Sequence, residues 1–311
     1  MKLSVIVPMY NEEISIDYFL CETLRILQNN FTNYELILID DGSCDHTVEH
    51  CLTHIKNNPY IRLLVFSRNY GHEIACTAGL EYATGDYVIL MDCDMQHPPE
   101  LIPQLLQKAR EGYDVVCASR VNRVSESWWR RLTAILFYGL SRKMTGLNLQ
   151  SAHGTYRLIS HRVVEAMKQM KEGNRHLVTM FAYIGYKVAT INYTAIPRTA
   201  GKSKYNLRKL FHLALDAIIG FSGRPLRCMS LLSLCISFVI VLYTGKELFF
   251  HPTQDISLFF IIYLLFAVLF LFLGIISEYI CRILLETKNR PLYYIAQEIK
   301  QQTLISESQA C

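Results

Sequence analysis

The stretch Tyr87-Val88-Ile89-Leu90-Met91-Asp92-Cys93-Asp94-Met95-Gln96-His97-Pro98-Pro99 decides the fold. Tyr87–Met91 is a short apolar run of the kind that forms a strand buried on both faces. Two carboxylates two residues apart follow at its carboxyl end. Pro98-Pro99-Glu100 then opens a helix over Pro99–Arg110, because proline is pre-shaped for the first helical turn. Strand, polar loop and helix together make the repeating unit of an open α/β sheet.

The same unit recurs on either side. Leu3–Val7, Glu35–Ile39, Ile61–Phe66 and Asp114–Ala118 are further short runs rich in Val, Ile and Leu. Between them, Ile14–Leu27 carries Ile16, Phe19, Leu20, Leu24 and Leu27 at helical spacing, and Thr47–Ile55 and Glu73–Ala83 also read as helices. The alternation predicts a doubly wound, mostly parallel sheet, in which ligands bind beyond the carboxyl ends of the strands. Polar residues accumulate there: Tyr10-Asn11-Glu12 after Pro8, Asp40-Asp41-Gly42-Ser43, Arg68-Asn69-Tyr70-Gly71 and Asp92-Cys93-Asp94. Asp92 and Asp94 can converge on a hard divalent cation, which takes few protein oxygens and completes its shell with substrate phosphates. In the second turn Gly42 supplies a special φ and Asp45 caps Thr47–Ile55, which leaves Asp40 and Asp41 to face a nucleotide.

Taken in order, V-P-M-Y-N-E-E, L-I-D-D-G-S, S-R-N-Y-G-H-E, D-C-D-M-Q-H-P-P-E and A-S-R resemble glycosyltransferase family 2, the GT-A fold. Within it they are similar to the polyprenyl-phosphate glycosyltransferases, the group that contains dolichyl-phosphate mannosyltransferases and bacterial undecaprenyl-phosphate glucosyltransferases. The resemblance implies roles. Pro8, Tyr10, Glu12, Asp40, Asp41, Asn69 and Asp92 would bind the nucleotide sugar. Asp92, Asp94 and Gln96 would hold Mg2+ or Mn2+. Arg120 and Arg131 would face the acceptor phosphate. Arg198, Lys202, Ser203 and Lys204, in R-T-A-G-K-S-K-Y, would close over the phosphates. The implied reaction is inverting transfer of a hexose, UDP-glucose being the first choice of donor and GDP-mannose the alternative. The family often shows a carboxylate in a D-x-G-D-F-R-type stretch, whereas Ser151-Ala152-His153-Gly154-Thr155-Tyr156-Arg157 has none. Either an acceptor that arrives ionised needs no base, or His153 replaces it.

Composition fits a membrane-bound member. The 311 residues are 51% hydrophobic and 19% charged, which is apolar for a soluble enzyme. The apolar excess lies in 226–285, with runs at about 228–244 and 256–280, so that segment reads as a transmembrane hairpin. Arg224, Arg227, Arg282, Lys288 and Arg290 flank its outer ends. Its connector carries only Lys246, offset by Glu247 and Asp255. The positive-inside rule then puts residues 1–224, the 286–311 tail and both termini in the cytoplasm of a bacterial inner membrane. Segments 125–146, with Trp128-Trp129-Arg130-Arg131, and 207–221 suit interfacial helices. The start Met1–Pro8 is too short to be a secretory signal. A net charge of +4, without a basic stripe, does not favour nucleic acid. Ten scattered cysteines make no zinc spacing and read as reduced thiols. Related proteins with this hairpin assemble as homo-oligomers, tetramers among them. Two rivals are a processive polysaccharide synthase, opposed by the lack of Q-x-x-R-W, and a non-catalytic nucleotide-sugar or lipid-carrier partner of a flippase complex.

Overall fold

The computed structural model describes residues 1–120, 154–173, 175–194 and 255–301, with isolated positions within 139–146 and 229–246 and at 303. They fall into two compact units: Met1–Gly139 with Leu147–Tyr205 and Arg290–Cys311, and Leu140–Gly146 with Asn206–Asn289.

In the first unit β1 (Leu3–Met9), β2 (Tyr34–Asp40), β3 (Ile61–Phe66) and β4 (Tyr87–Leu90) alternate with α1 (Ile16–Asn30), α2 (Thr47–Asn57) and α3 (His72–Tyr82). A 3-10 turn at Pro99–Leu101 leads into α4 (Ile102–Arg110), and β5 (Val115–Arg120) follows. After β5 come β6 (Arg157–Ser160), α5 (His161–Gln169), α6 (Leu177–Ile184), β7 (Val188–Tyr193) and, much later in the chain, β8 (Ile295–Lys300). The eight strands form one sheet in the order β7-β5-β6-β4-β1-β2-β3-β8. The pairs β1/β2, β2/β3, β1/β4 and β5/β7 are parallel; β4/β6, β5/β6 and β3/β8 are antiparallel. The expected winding is present, and the sheet is more mixed than the apolar runs alone predict.

The reason for each central strand is burial on both faces. Every residue of β1 is buried, and α1 covers the sheet with Ile16, Phe19, Leu20, Thr23 and Leu27. The opposite approach, by α3, is close enough to require a glycine: a Cβ on Gly79 would stand 2.2 Å from Ile6 Cγ2. β1 feeds β2 on one side while β4 pairs with it on the other. That reversal of strand order opens a crevice at the carboxyl ends of β1 and β4.

Two expectations change here. Residues 286–311 are not simply a tail, because Ile295–Lys300 extends the sheet beside β3. Asp45 serves α2 one residue further out than a cap: His46 holds the cap position, and Asp45 accepts from the Thr47 amide (3.1 Å) and hydroxyl (2.5 Å).

The second unit contains α7 (Asp255–Thr287), 33 residues long and the one helix among the described residues long and apolar enough to cross a membrane. Its stretch Val268–Thr287 has a mean hydropathy of 2.2. Of the earlier apolar run, the shorter helix Leu231–Ile240 is described. Segments 125–146 and 207–221 lie almost wholly or wholly outside the described residues.

Candidate active site

Four loops at the carboxyl edge of the sheet build one cleft of about 370 Å³. Pro8, Tyr10 and Glu12 contribute from β1, Asp41 from β2, Asn69 from β3, and Asp92 and Asp94 from β4. Gly71, His72 and Ala75, at the start of α3, complete it.

The loops are tied to one another by backbone donors. The Asn11 amide donates to Ser43 Oγ and the Cys44 amide to Asn11 Oδ1, both at 2.9 Å, which joins the β1 and β2 loops. Asp41 accepts the amides of Tyr70 (2.6 Å) and Gly71 (2.9 Å), which joins β2 to β3. Burial pushes the Asp41 carboxyl up in spite of those amides. Gly42 lets the loops approach: its φ is +69°, and a Cβ there would lie 2.6 Å from the Arg68 carbonyl carbon. Asn11 (φ 55°) and Met95 (φ 58°) also hold left-handed conformations, each inside a site loop. Such strain persists where surrounding structure over-determines the backbone.

Asp40 is placed differently from the expectation. It is 0% exposed and does not line the cleft; its Oδ2 accepts the Ser43 amide at 3.0 Å and shapes the turn instead. The alternation of a strand explains this, since Asp40 ends β2 facing inward and Asp41 faces the cleft.

Asp92 is tied through both carboxylate oxygens. Its Oδ1 meets His72 Nε2 at 2.8 Å and its Oδ2 accepts from the Thr155 hydroxyl at 3.1 Å. Its amide donates to His97 Nδ1 at 2.9 Å. That donation requires a lone pair on Nδ1, so His97 carries its proton on Nε2 and is neutral, consistent with burial lowering its pKa. The 3.7 Å approach of His97 Nδ1 to Asp92 Oδ2 is therefore not an ion pair. His72 is raised, by the Cys76 sulfur 3.9 Å away and by Asp92. Because burial keeps the Cys76 thiol protonated, the carboxylate is the partner that matters at neutral pH. Burial opposes ionisation of Asp92, yet the His72 imidazole and the Thr155 hydroxyl hold it well below the usual carboxylate range.

Asp94 lines the cleft beside Asp92, and its Oδ1 accepts the Gln96 amide at 3.1 Å. Gln96 lies beyond the cleft lining, its Oε1 accepting from Arg120 Nη1 at 3.3 Å, so it joins the β4 loop to the end of β5. Arg120 is exposed at that strand end. Arg131, His153, Arg198, Lys202, Ser203 and Lys204 lie outside the described residues. Sequence reasoning assigned no role to His72, His97 or Thr155. The first two stand inside quoted motifs, and Thr155 stands in the stretch singled out for lacking a carboxylate. That stretch serves the site with a hydroxyl.

An open α/β sheet with acidic loops gathered at its switch point has the form of a ligand-binding site beyond the carboxyl ends of the strands. The family model for glycosyl transferase family 2 matches residues 4–168. The chain is 36% identical over 301 residues to an uncharacterised glycosyltransferase, YkcC, of Bacillus subtilis, with 95% of this chain and 93% of that protein covered. It is 35% identical to the bactoprenol glucosyl transferase of Shigella phage SfX, with 95% and 99% covered. Among solved structures, glucosyl-3-phosphoglycerate synthase from Mycobacterium tuberculosis, in complex with Mn2+, uridine diphosphate and phosphoglyceric acid, has a TM-score of 0.51. That likeness, at 18% identity, covers 70% of this chain and 76% of that one, and shows the fold. The chain belongs to glycosyl transferase family 2 and is a glycosyltransferase.

Proposed function

We propose that the enzyme transfers a hexose from a nucleoside diphosphate sugar, UDP-glucose in the first instance, to polyprenyl phosphate at a membrane. The observation that carries the donor half is the single cleft that gathers Tyr10, Glu12, Asp41, Asp92 and Asp94 at the strand switch point. The acceptor half is supported by the bactoprenol glucosyl transferase that matches nearly the whole chain, and by α7. The structural neighbour bound to Mn2+ and uridine diphosphate supports the nucleotide and the metal.

The donor set fits a divalent cation. Asp92 and Asp94 offer hard oxygens on an open cleft. Mg2+ and Mn2+ sites built for phosphates have that open character. Asp94 would be the principal ligand, with Asp92 beside it on the cleft, and Gln96 would support Asp94 through its amide. When bound, the cation stabilises charge on the departing diphosphate.

The chain's own residues do the rest. The β1 and β2 loops hold the nucleotide, and Arg120 offers a guanidinium fork to the acceptor phosphate. An acceptor oxygen bonds to the anomeric carbon as the bond to the diphosphate oxygen breaks, its electron pair leaving with the diphosphate. The acceptor is already ionised, so no proton need be removed, and an α-linked donor gives a β-linked lipid. In this reading α7 and the run at 228–244 form a hairpin, with 1–224 and the C-terminus cytoplasmic; 125–146 and 207–221 lie at the interface; and Arg131, Arg198, Lys202, Ser203 and Lys204 complete the phosphate site.

The test is transfer of labelled glucose from UDP-glucose, beside mannose from GDP-mannose, to undecaprenyl phosphate in detergent. A β-linked glucosyl lipid, lost on chelation and restored by Mg2+ or Mn2+, is expected. Transfer of mannose alone would replace the donor, and no transfer from either would sink the reading.

A further inference from the structure

The last described strand of the chain is placed where it can act on the donor cleft. β8 pairs with β3 along Arg62↔Lys300, Leu63↔Ile299, Leu64↔Glu298 and Val65↔Gln297, then shifts register between Val65 and Phe66. Covering the sheet edge explains the ladder up to that point. It does not explain the segment just before Ile295, which runs past the end of β3 and serves the next loop. The Ser67 amide donates to the Tyr294 carbonyl at 3.0 Å, and the Tyr293 ring stacks on Phe66 with centroids 5.0 Å apart and planes 19° apart. The Tyr293 hydroxyl donates to Glu81 at the end of α3.

From Phe66 the contacts continue into the site. Tyr70 and the buried Phe66 ring make a T-shaped contact, centroids 5.7 Å apart and planes at 88°, and the Tyr70 amide is a donor to Asp41. Asn69 and Gly71, on either side of Tyr70, line the cleft. The loop that forms one wall of the nucleotide pocket is thus gripped between Asp41 and an aromatic stack whose outer member is Tyr293. The register shift between Val65 and Phe66, where Ala296 of β8 is passed over, lies next to this loop.

We infer that Tyr293 is a positioning residue for donor recognition, acting through Phe66 and Tyr70 on the loop that lines the cleft, so that affinity for the nucleoside diphosphate depends on the C-terminal strand. The inference rests on the reading that this cleft binds the nucleoside diphosphate. A misplaced loop costs binding rather than chemistry, because none of these groups touches the reacting atoms.

The experiment uses the full chain in detergent and measures binding of UDP with Mn2+, in parallel GDP with Mn2+, and steady-state transfer to undecaprenyl phosphate. Tyr293→Ala should raise the nucleotide Kd and the donor KM about five- to tenfold, on the scale of one lost aromatic pair, while kcat and acceptor KM stay within about twofold. Tyr293→Phe keeps the stack and should bind like the parent. If Tyr293→Ala fails to fold, Tyr293→Leu, which keeps the volume without the stack, carries the same test. Unchanged donor affinity overturns the inference, as does a lower melting temperature with kcat reduced and Kd intact, which is what a purely edge-covering strand would give. If the parent binds neither nucleotide, the donor reading beneath it falls, and the two failures are told apart by that control.

Discussion

In the proposed metal site Asp92 and Asp94, two residues apart, do different work. Both line the cleft, Asp92 engaged by His72 and Thr155 and Asp94 with its Oδ1 on the Gln96 amide. Asp94→Ala should therefore reduce transfer by about 10²–10³, the scale of losing a group that stabilises charge in the transition state, with the melting temperature unchanged. A fall in melting temperature that tracks the loss of turnover would count against that division of labour. Away from the site, Glu35 accepts from Lys2 Nζ (2.7 Å), the Ser4 hydroxyl (2.5 Å) and the Thr84 amide (2.8 Å). Burial opposes its charge, but those donors win and hold its pKa below the ordinary value. A carboxyl lowered by folding stabilises the native state above its unfolded pKa and loses that contribution as pH falls through the folded one. Glu35→Gln should cost about 1–3 kcal/mol in denaturant unfolding at pH 7, and the difference from the parent should close as pH drops below about 4. A penalty that persists in acid would mean that shape, not charge, is what Glu35 provides.

At the scale of elements, the parallel half of the sheet was legible because its strands are buried on both faces, so Leu3–Val7 or Tyr87–Met91 announces itself as an apolar run. Strands β6, β7 and β8 escaped. β7 alternates partly buried and exposed residues, and β8, Ile-Ala-Gln-Glu-Ile-Lys, is polar; its partner β3 lies more than 200 positions earlier, and no local pattern encodes that pairing. The site was legible as a set of strand-end carboxylates. Its inner shell was not, since His72, His97 and Thr155 gain meaning only through contact with Asp92. The inward turn of Asp40 likewise follows from strand phase at one terminal residue. Gly42, expected for its φ, carries a second duty in holding the Arg68–Asn69 backbone close. Gly42→Ala meets both the positive φ and backbone atoms that cannot swing aside, so a loss of about 1–3 kcal/mol is expected in thermal or denaturant unfolding. The same variant should raise donor KM, because Asn69 is part of the cleft. Full stability and an unaltered KM would show that the two loops move apart freely.

The whole molecule poses a constraint of parity. β3 and β8 are hydrogen-bonded neighbours, so the chain before and after the helical segment lies on one side of any membrane. A single crossing would put those strands on opposite faces. Helix α7, at about 1.5 Å per residue over 33 residues, is roughly 50 Å long and exceeds the hydrocarbon thickness. If it crosses, a second crossing must precede it, and the apolar run at 228–244, partly seen as Leu231–Ile240, is the segment available. With α7 taken as a crossing, the sheet ladder supports the proposed hairpin independently of the Lys and Arg distribution in the sequence. In that proposed topology the connector 245–254 would emerge on the face opposite the two termini. A protease site inserted there, with a second placed after Lys300 as control, can be probed in sealed vesicles of known orientation. The connector should be cut only from the outer face and the control only from the cytoplasmic face, with both cut once the vesicles are opened. Cleavage of both sites from the same face would mean that α7 lies along the membrane or away from it, and the two-crossing arrangement would fall while the family assignment and the cleft stood.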